Sequence, residues 1–351
     1  MWRLRHEWIP YYRMRIRGEA VYRLGRRFGP LRGCRSARPD EIVWSDAASM
    51  SSHPRLLVVR LKDAYVYRDE SIVIASDYRL MADLSAPSSG LVRSHDVLFH
   101  EKLPTPVTRP GPIAVINAGQ YDMFYHWMLE TIPRFGLVAE CGVPIDKYMV
   151  ASELPFQRQC LEVLGITPDK VIDPRPNQLL QVHDLIAPSI AGLHGLPTEY
   201  SVCFLRKMFA DHLSTATPSR HIYISRADGP TRRVVNEPDL IAEIGELGFE
   251  IVRLSEIPLV DQARIFSEAR IVLGPHGAGM THVSFMQPHS RGLIEFMPQT
   301  YTHDCFQAIC QINRTPYQRM IARTVDLAVH DIEVDVAQVI GMVRQTLTLT
   351  H

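Results

Sequence analysis

HIYIS (221–225), EPDLIAEIGELG (237–248), FEIVRL (249–254), LVDQARIFSEAR (259–270), IVLG (271–274), PHGAGMTH (275–282) and GLIEFMP (292–298) follow one another in a single run that decides the fold. The four apolar runs are short and lack alternation, as in strands buried on both faces. Two stretches with helical spacing separate the first three runs. Asn236 is the expected cap of the first, Pro238 lies in its opening turn, and Gly248 closes it. Strand and helix in alternation predict a parallel sheet with right-handed crossovers.

Upstream, IAVINA (113–118), KYMVAS (147–152), KVIDP (170–174) and LLQVHDLIAP (179–188) read as strands. YHWMLETIPRFGLVAECG (125–142) and LPFQRQCLEVLGI (154–166) read as helices, which makes a second α/β layer. Before it, RLLVVRL, AYVYRD, SIVIAS and YRLMADL predict a small antiparallel β ribbon within 41–95. SIAGLHGLPTEY (189–200), punctuated by Gly and Pro, is the expected boundary between domains. The expected division is a basic segment 1–40, an α/β domain 41–198, a Rossmann-like domain 199–330 and a C-terminal helix 331–351.

The 351 residues carry no formal net charge, yet the charge is unevenly placed. Residues 1–38 hold eleven arginines against Glu7 and Glu19, a balance of +9 that the rest of the chain offsets with −9. Aromatic residues lie among these arginines, which suits an anionic membrane surface, a solvated helix or a leader alike. No apolar run is long enough for a signal peptide core or a membrane span, so a cytoplasmic protein, peripheral on the inner face of the membrane, is expected. Six cysteines without CxxC spacing read as reduced thiols, not as a disulfide framework or zinc site. Nothing in the charge balance points to nucleic acid.

Three clusters could carry chemistry. The loop Pro275, His276, Gly277, Ala278, Gly279, Met280, Thr281 follows an apolar strand, where ligands of α/β sheets bind. Its glycines would let main-chain amides approach a diphosphate, or they simply pack a tight turn. Ser225 and Arg226, with Arg232 and Arg233 close behind, could meet phosphate oxygens or could be ordinary surface arginines. Tyr121-Asp122, then Tyr125-His126-Trp127 and Glu130, form the third; His126 and Glu130 share a helix face as a base and its orienting carboxylate, or as a structural pair. Glu295 after the last apolar run is a further candidate for contact with a ligand. The order of glycines is wrong for a dinucleotide fingerprint, and the loop sits on the third strand instead of the first.

YHWMLETIPR (125–134), YISR (223–226), RRVVNE (232–237), the run 248–286 and LIEF (293–296) together resemble glycosyltransferase family 61. The chain departs from the usual pattern at Tyr125, where glycine often precedes His-Trp, and at Met-Thr-His (280–282), where Leu-Thr-Asn is common. The resemblance implies a GT-B-like pair of Rossmann-type domains with a cleft between them. It also implies inverting transfer of a hexose or pentose from a nucleotide sugar to a carbohydrate acceptor, with no metal or other cofactor, as in capsule or exopolysaccharide biosynthesis. Catalysis is then expected from His126, Glu130 or Asp122, in that order. Donor contacts are expected from Ser225, Arg226, Arg232, residues 275–281 and Glu295. A catalytically silent scaffold in a polysaccharide assembly complex is the rival reading.

Overall fold

The computed structural model describes residues 30–45, 56–85, 96–192 and 195–348. Most of the basic N-terminal segment lies outside them. The chain divides into two compact units: Met1–Asp122, Glu130–Leu154 and Ile166–His194 form the first, and Met123–Leu129, Pro155–Gly165 and Gly195–His351 the second.

Unit 1 is built on one mixed sheet. Its strands are β1 (Cys34–Arg35), β2 (Ile42–Ser45), β3 (Leu57–Tyr67), β4 (Ile72–Ile74), β5 (Leu80–Met81), β6 (Val107–Arg109), β7 (Ile113–Val115), β8 (Lys147–Met149), β9 (Val171–Ile172) and β10 (Leu179–Pro188). The order is β1-β5-β4-β3-β10-β7-β8-β9, with β2 on β3 and β6 on β10. The expected ribbon is present as the antiparallel end of this sheet, not as a separate piece. RLLVVRL and AYVYRD form one strand, because Asp63 takes a left-handed backbone (φ 51) without ending the pairing with β10. From β10 through β7 and β8 to β9 the strands run parallel. Helix α1 (Pro133–Glu140) follows in chain order after β7.

Unit 2 contains α2 (Pro155–Val163), α3 (Glu199–Met208), β11 (Arg220–Ile224), α4 (Glu237–Gly245), β12 (Phe249–Val252), α5 (Leu259–Ser267), β13 (Ala269–Pro275), β14 (Gly292–Pro298), α6 (Cys305–Asn313), β15 (Tyr317–Asp326), β16 (Asp331–Glu333) and α7 (Val336–Thr348). The sheet order is β12-β11-β13-β14-β15-β16, parallel except for β16. The four strands expected from 221–298 are therefore present and parallel; β15, β16 and α6 extend the pattern beyond what was read. Leu240 and Ile244 of α4 and Val339 and Val343 of α7 are buried in one cluster with Ile271, Leu273, Ile294 and Phe296 of the sheet. Each such side chain contributes about 1.5–3 kcal/mol on leaving water. Thr198 caps α3 in a reciprocal box with Ser201. Asn236 does not cap α4: its amide brackets Val334 instead, donating to the carbonyl at 2.9 Å and accepting from the N–H at 3.1 Å. No helix among the described residues is long and apolar enough to cross a membrane.

Candidate functional site

The strand order places β11 between β12 and β13. After β11 the chain moves outward to β12, then returns to add β13 on the other side. Loops leaving the carboxyl ends of β11 and β13 therefore diverge, and that crevice is where open α/β sheets bind ligands. Loop 225–236 leaves β11 and loop 276–282 leaves β13, so two of the clusters chosen from sequence come to one place.

The first loop supplies charge. Ser225 is buried and shapes the turn, its Oγ accepting from the Ala227 N–H at 3.2 Å. Arg226 donates from Nε and Nη2 to the Thr231 carbonyl at 3.2 and 3.1 Å. Arg232 adopts a left-handed backbone (φ 56), donates from Nε to the His276 carbonyl at 2.9 Å and lies 5.5 Å above the Tyr301 ring. Arg233 differs, because Asp331 accepts from its main-chain N–H and from its guanidinium. Neither Arg226 nor Arg232 makes an ion pair with a described carboxylate. Burial, helped by the neighbouring Arg232, pulls Arg226 down to about 10, and burial also lowers Arg232. Asp228 and Asp331 act on Arg226 only from a distance, and two adjacent, half-buried cations with no directly paired carboxylate are costly unless an anion completes them.

The second loop makes room for that charge. Gly277 is extended (φ 173), so conformational freedom is not its purpose. A β-carbon there would stand 2.0 Å from Arg226 Nη1 and 2.7 Å from its Cζ. The open amide cradle expected from the glycines is thus corrected: Arg226 fills the face of Gly277, and what the loop presents is a guanidinium. Gly279 accommodates Leu254 in the same manner, at 2.6 Å. The segment Ala278–Phe285 is a 3-10 helix, not an α-helix, and the side chains of Met280 and Thr281 are buried. Pro275, at the end of β13, is buried as well.

Glu295, expected to contact the donor, has its carboxylate engaged within the protein. It is fully buried in β14, where His276 Nδ1 donates to Oε1 and the Tyr317 hydroxyl donates to Oε2 at 2.6 Å. Tyr317, missed by the sequence reading, lies on β15, whose alternation of buried Met320 and Ala322 with exposed Ile321 and Arg323 was the available signal.

The third cluster joins the same neighbourhood in part. Phe124–His126 is a single α-helical turn that runs into a π-helical turn, Trp127–Thr131, a feature frequent at functional sites. Tyr125 donates to the Gly195 carbonyl at 2.8 Å and packs edge-on to His126 and to Phe306, at 5.3 and 5.8 Å. His276 packs on the same Phe306 ring at 5.0 Å. Burial lowers His303, and His276 and His126 both press on it electrostatically. Unit 2 therefore brings His126 together with the β13 loop. Asp122, exposed, and Glu130, buried, belong to unit 1. Among the described residues no group of three or more His, Cys, Asp or Glu could hold a metal ion.

His282, where the sequence departs from its resemblance, is sandwiched between Phe124 and Phe266, each 5.1 Å away. Its Nδ1 donates to the Gly279 carbonyl at 2.8 Å. Burial lowers it to about 4 from 6.5. Between those values the unfolded chain holds more protons, so stability falls as pH drops from 6.5 to 4 and then levels off. The expected loss is about 3 kcal/mol. His282→Asn, which can still donate to Gly279, should remove this loss in urea titrations; an identical slope in both proteins would exclude His282 as its source.

Residues 124–293 match the family model described as Glycosyltransferase 61, a span that includes Arg226, Arg232 and the whole β13 loop. No curated protein matches the chain. What residues 124–293 are similar to is therefore glycosyltransferase family 61.

Proposed function

We propose that the chain is an inverting, metal-independent glycosyltransferase that moves a hexose or pentose from a nucleotide-sugar diphosphate to a carbohydrate acceptor. The observation that carries this reading is the pair of unpaired, half-buried guanidiniums, Arg226 and Arg232, at the reversal of strand order. A diphosphate supplies the missing counter-charge, and fixed cations there stabilise the charge that grows on the leaving group. Two units, each with its own partly parallel sheet, fit a GT-B-like enzyme. Polysaccharide assembly at the cytoplasmic face of a membrane is the context this chemistry and the basic segment 1–38 suit best.

In the reaction the acceptor oxygen attacks the anomeric carbon in line, and the electron pair of the broken bond leaves on the β-phosphate. His126 takes the acceptor's proton; Glu130 and Asp122 are the next candidates. His126→Ala is expected to keep nucleoside-diphosphate affinity within about threefold and to cut turnover ~10²–10⁴-fold, the usual worth of a general base. Unchanged turnover would remove His126 from that role. The reading as a whole is tested by thermal shift of the full chain against nucleoside diphosphates and nucleotide sugars, with and without EDTA. A rise in melting temperature that EDTA does not diminish is expected, and no response to any diphosphate would refute the donor site.

A further inference from the structure

β14 has seven residues, all buried, and Glu295 is its one acid. Its side chain is 0% exposed, whereas 6% of the His276 side chain remains accessible. The groups that meet the carboxylate oxygens, among the described residues, are the Tyr317 hydroxyl and His276 Nδ1. No described lysine or arginine pairs with it: Arg319 stops at the Tyr317 oxygen, 3.0 Å away, and is itself held by Asp304 at 2.6 Å. A carboxylate taken out of water requires an opposite charge or a proton. Tyr317 remains a neutral phenol, pushed well up by burial and by Glu295. His276 is the one basic group among the described residues that meets it.

The other neighbours of the imidazole do not compete for that role. Tyr301 and Phe306 face its ring at 5.2 and 5.0 Å; burial pushes the Tyr301 phenol up, and burial with Glu295 pushes the Cys305 and Cys310 thiols up, so all three stay neutral. His303 is pushed down by burial and then by His276 itself. His126 lies beyond Tyr125, and Arg232 sits on the His276 carbonyl. With Nδ1 committed to Glu295, Nε2 is the ring's remaining polar atom, on the residue directly before the glycine that Arg226 covers.

We propose that His276 acts as an imidazolium that donates from Nε2 to the diphosphate leaving group, with buried Glu295 as the positioning residue that holds its charge. This rests on the donor site assigned above. As the bond from the anomeric carbon to the β-phosphate oxygen breaks, its electron pair moves to that oxygen, which accepts the hydrogen bond from His276. The acceptor oxygen forms the new bond and gives its proton to the base. His276 keeps its proton throughout, adding a third, titratable positive charge to those of Arg226 and Arg232.

The test is calorimetric binding of inorganic pyrophosphate to the full chain from pH 6 to 9, for the wild type, His276→Gln, Glu295→Gln and Arg226→Ala. Pyrophosphate ionises over the same range, so the quantity read is the affinity of each protein divided by that of His276→Gln. For the wild type the ratio is expected to be about 30 at pH 6 and to fall towards one as pH rises. For Glu295→Gln the fall should begin at least one pH unit lower. If that variant does not fold, the comparison of wild type with His276→Gln decides alone. A wild-type ratio that stays constant with pH, while Arg226→Ala abolishes binding, would overturn the role of His276 and leave the donor site standing. No binding of pyrophosphate to the wild type would overturn both.

Discussion

Gly277→Ala is expected to weaken nucleoside-diphosphate binding about as much as Arg226→Ala does, by ~10–100-fold in Kd. The reason is steric before it is electrostatic. The added methyl group would meet the Arg226 guanidinium at 2.0 Å and drive it away from the loop. Because the obstructed atoms belong to the end of a flexible side chain, the fold should survive, with an overpacking cost of about 1–3 kcal/mol. The affinity loss follows from forfeiting hydrogen bonds to a charged group, worth about 1.5–3 kcal/mol. The double variant should lose no more than Arg226→Ala alone, since the methyl group then has no guanidinium to displace. Titration calorimetry on the four proteins closes the cycle; full affinity in Gly277→Ala, or additive losses, would sever the link between the two loops.

Arg134→Met should be the most damaging single change outside the site. Arg134 is fully buried, and burial lowers it to about 9, so it stays charged at neutral pH. Its guanidinium donates to the carbonyls of Ile116 and Pro188 at 2.9 and 2.6 Å and to that of Asn117. It thereby ties together the ends of β7 and β10 inside unit 1. The Asn117 side chain continues the network, donating to the Asp69 carbonyl at 3.0 Å and accepting from the Ala151 N–H at 2.9 Å. Methionine would leave three buried carbonyls without these donors, at an expected cost of about 3–5 kcal/mol. Lysine should rescue little, because one ammonium cannot reproduce a planar fork. Urea unfolding followed by hydrogen exchange at residues 113–118 reads the effect; a loss below about 1 kcal/mol would show that water serves those carbonyls equally well.

Much of this was legible in the chain because strands buried on both faces leave a local trace. The runs 221–225, 249–254, 271–274 and 292–298 all became parallel strands, and the helices between them formed. Strand order is a non-local property, so the adjacency of Arg226 to Gly277 could not be read, and with it the reason for that glycine. Glu295 carried a partial signal, since a lone acid in an apolar run needs a buried partner, but nothing local says that the partner is His276. β15 was missed although its alternation of buried and exposed residues is a strand signal, and Asp63 concealed the continuity of β3 because an acid within a strand ordinarily reads as a turn.

The assignment of Met123–Leu129 and Pro155–Gly165 to unit 2, while the residues between and around them belong to unit 1, has a practical consequence. No single cleavage yields two complete halves. A fragment begun near residue 195 would lack Trp127, Met128 and Leu129, each wholly enclosed in the intact molecule, together with Cys160 from α2. Shuffling unit 2 between parent chains therefore requires three splice segments, and a chimera joined at the obvious Gly- and Pro-rich junction would take residues 123–129, His126 among them, from the other parent.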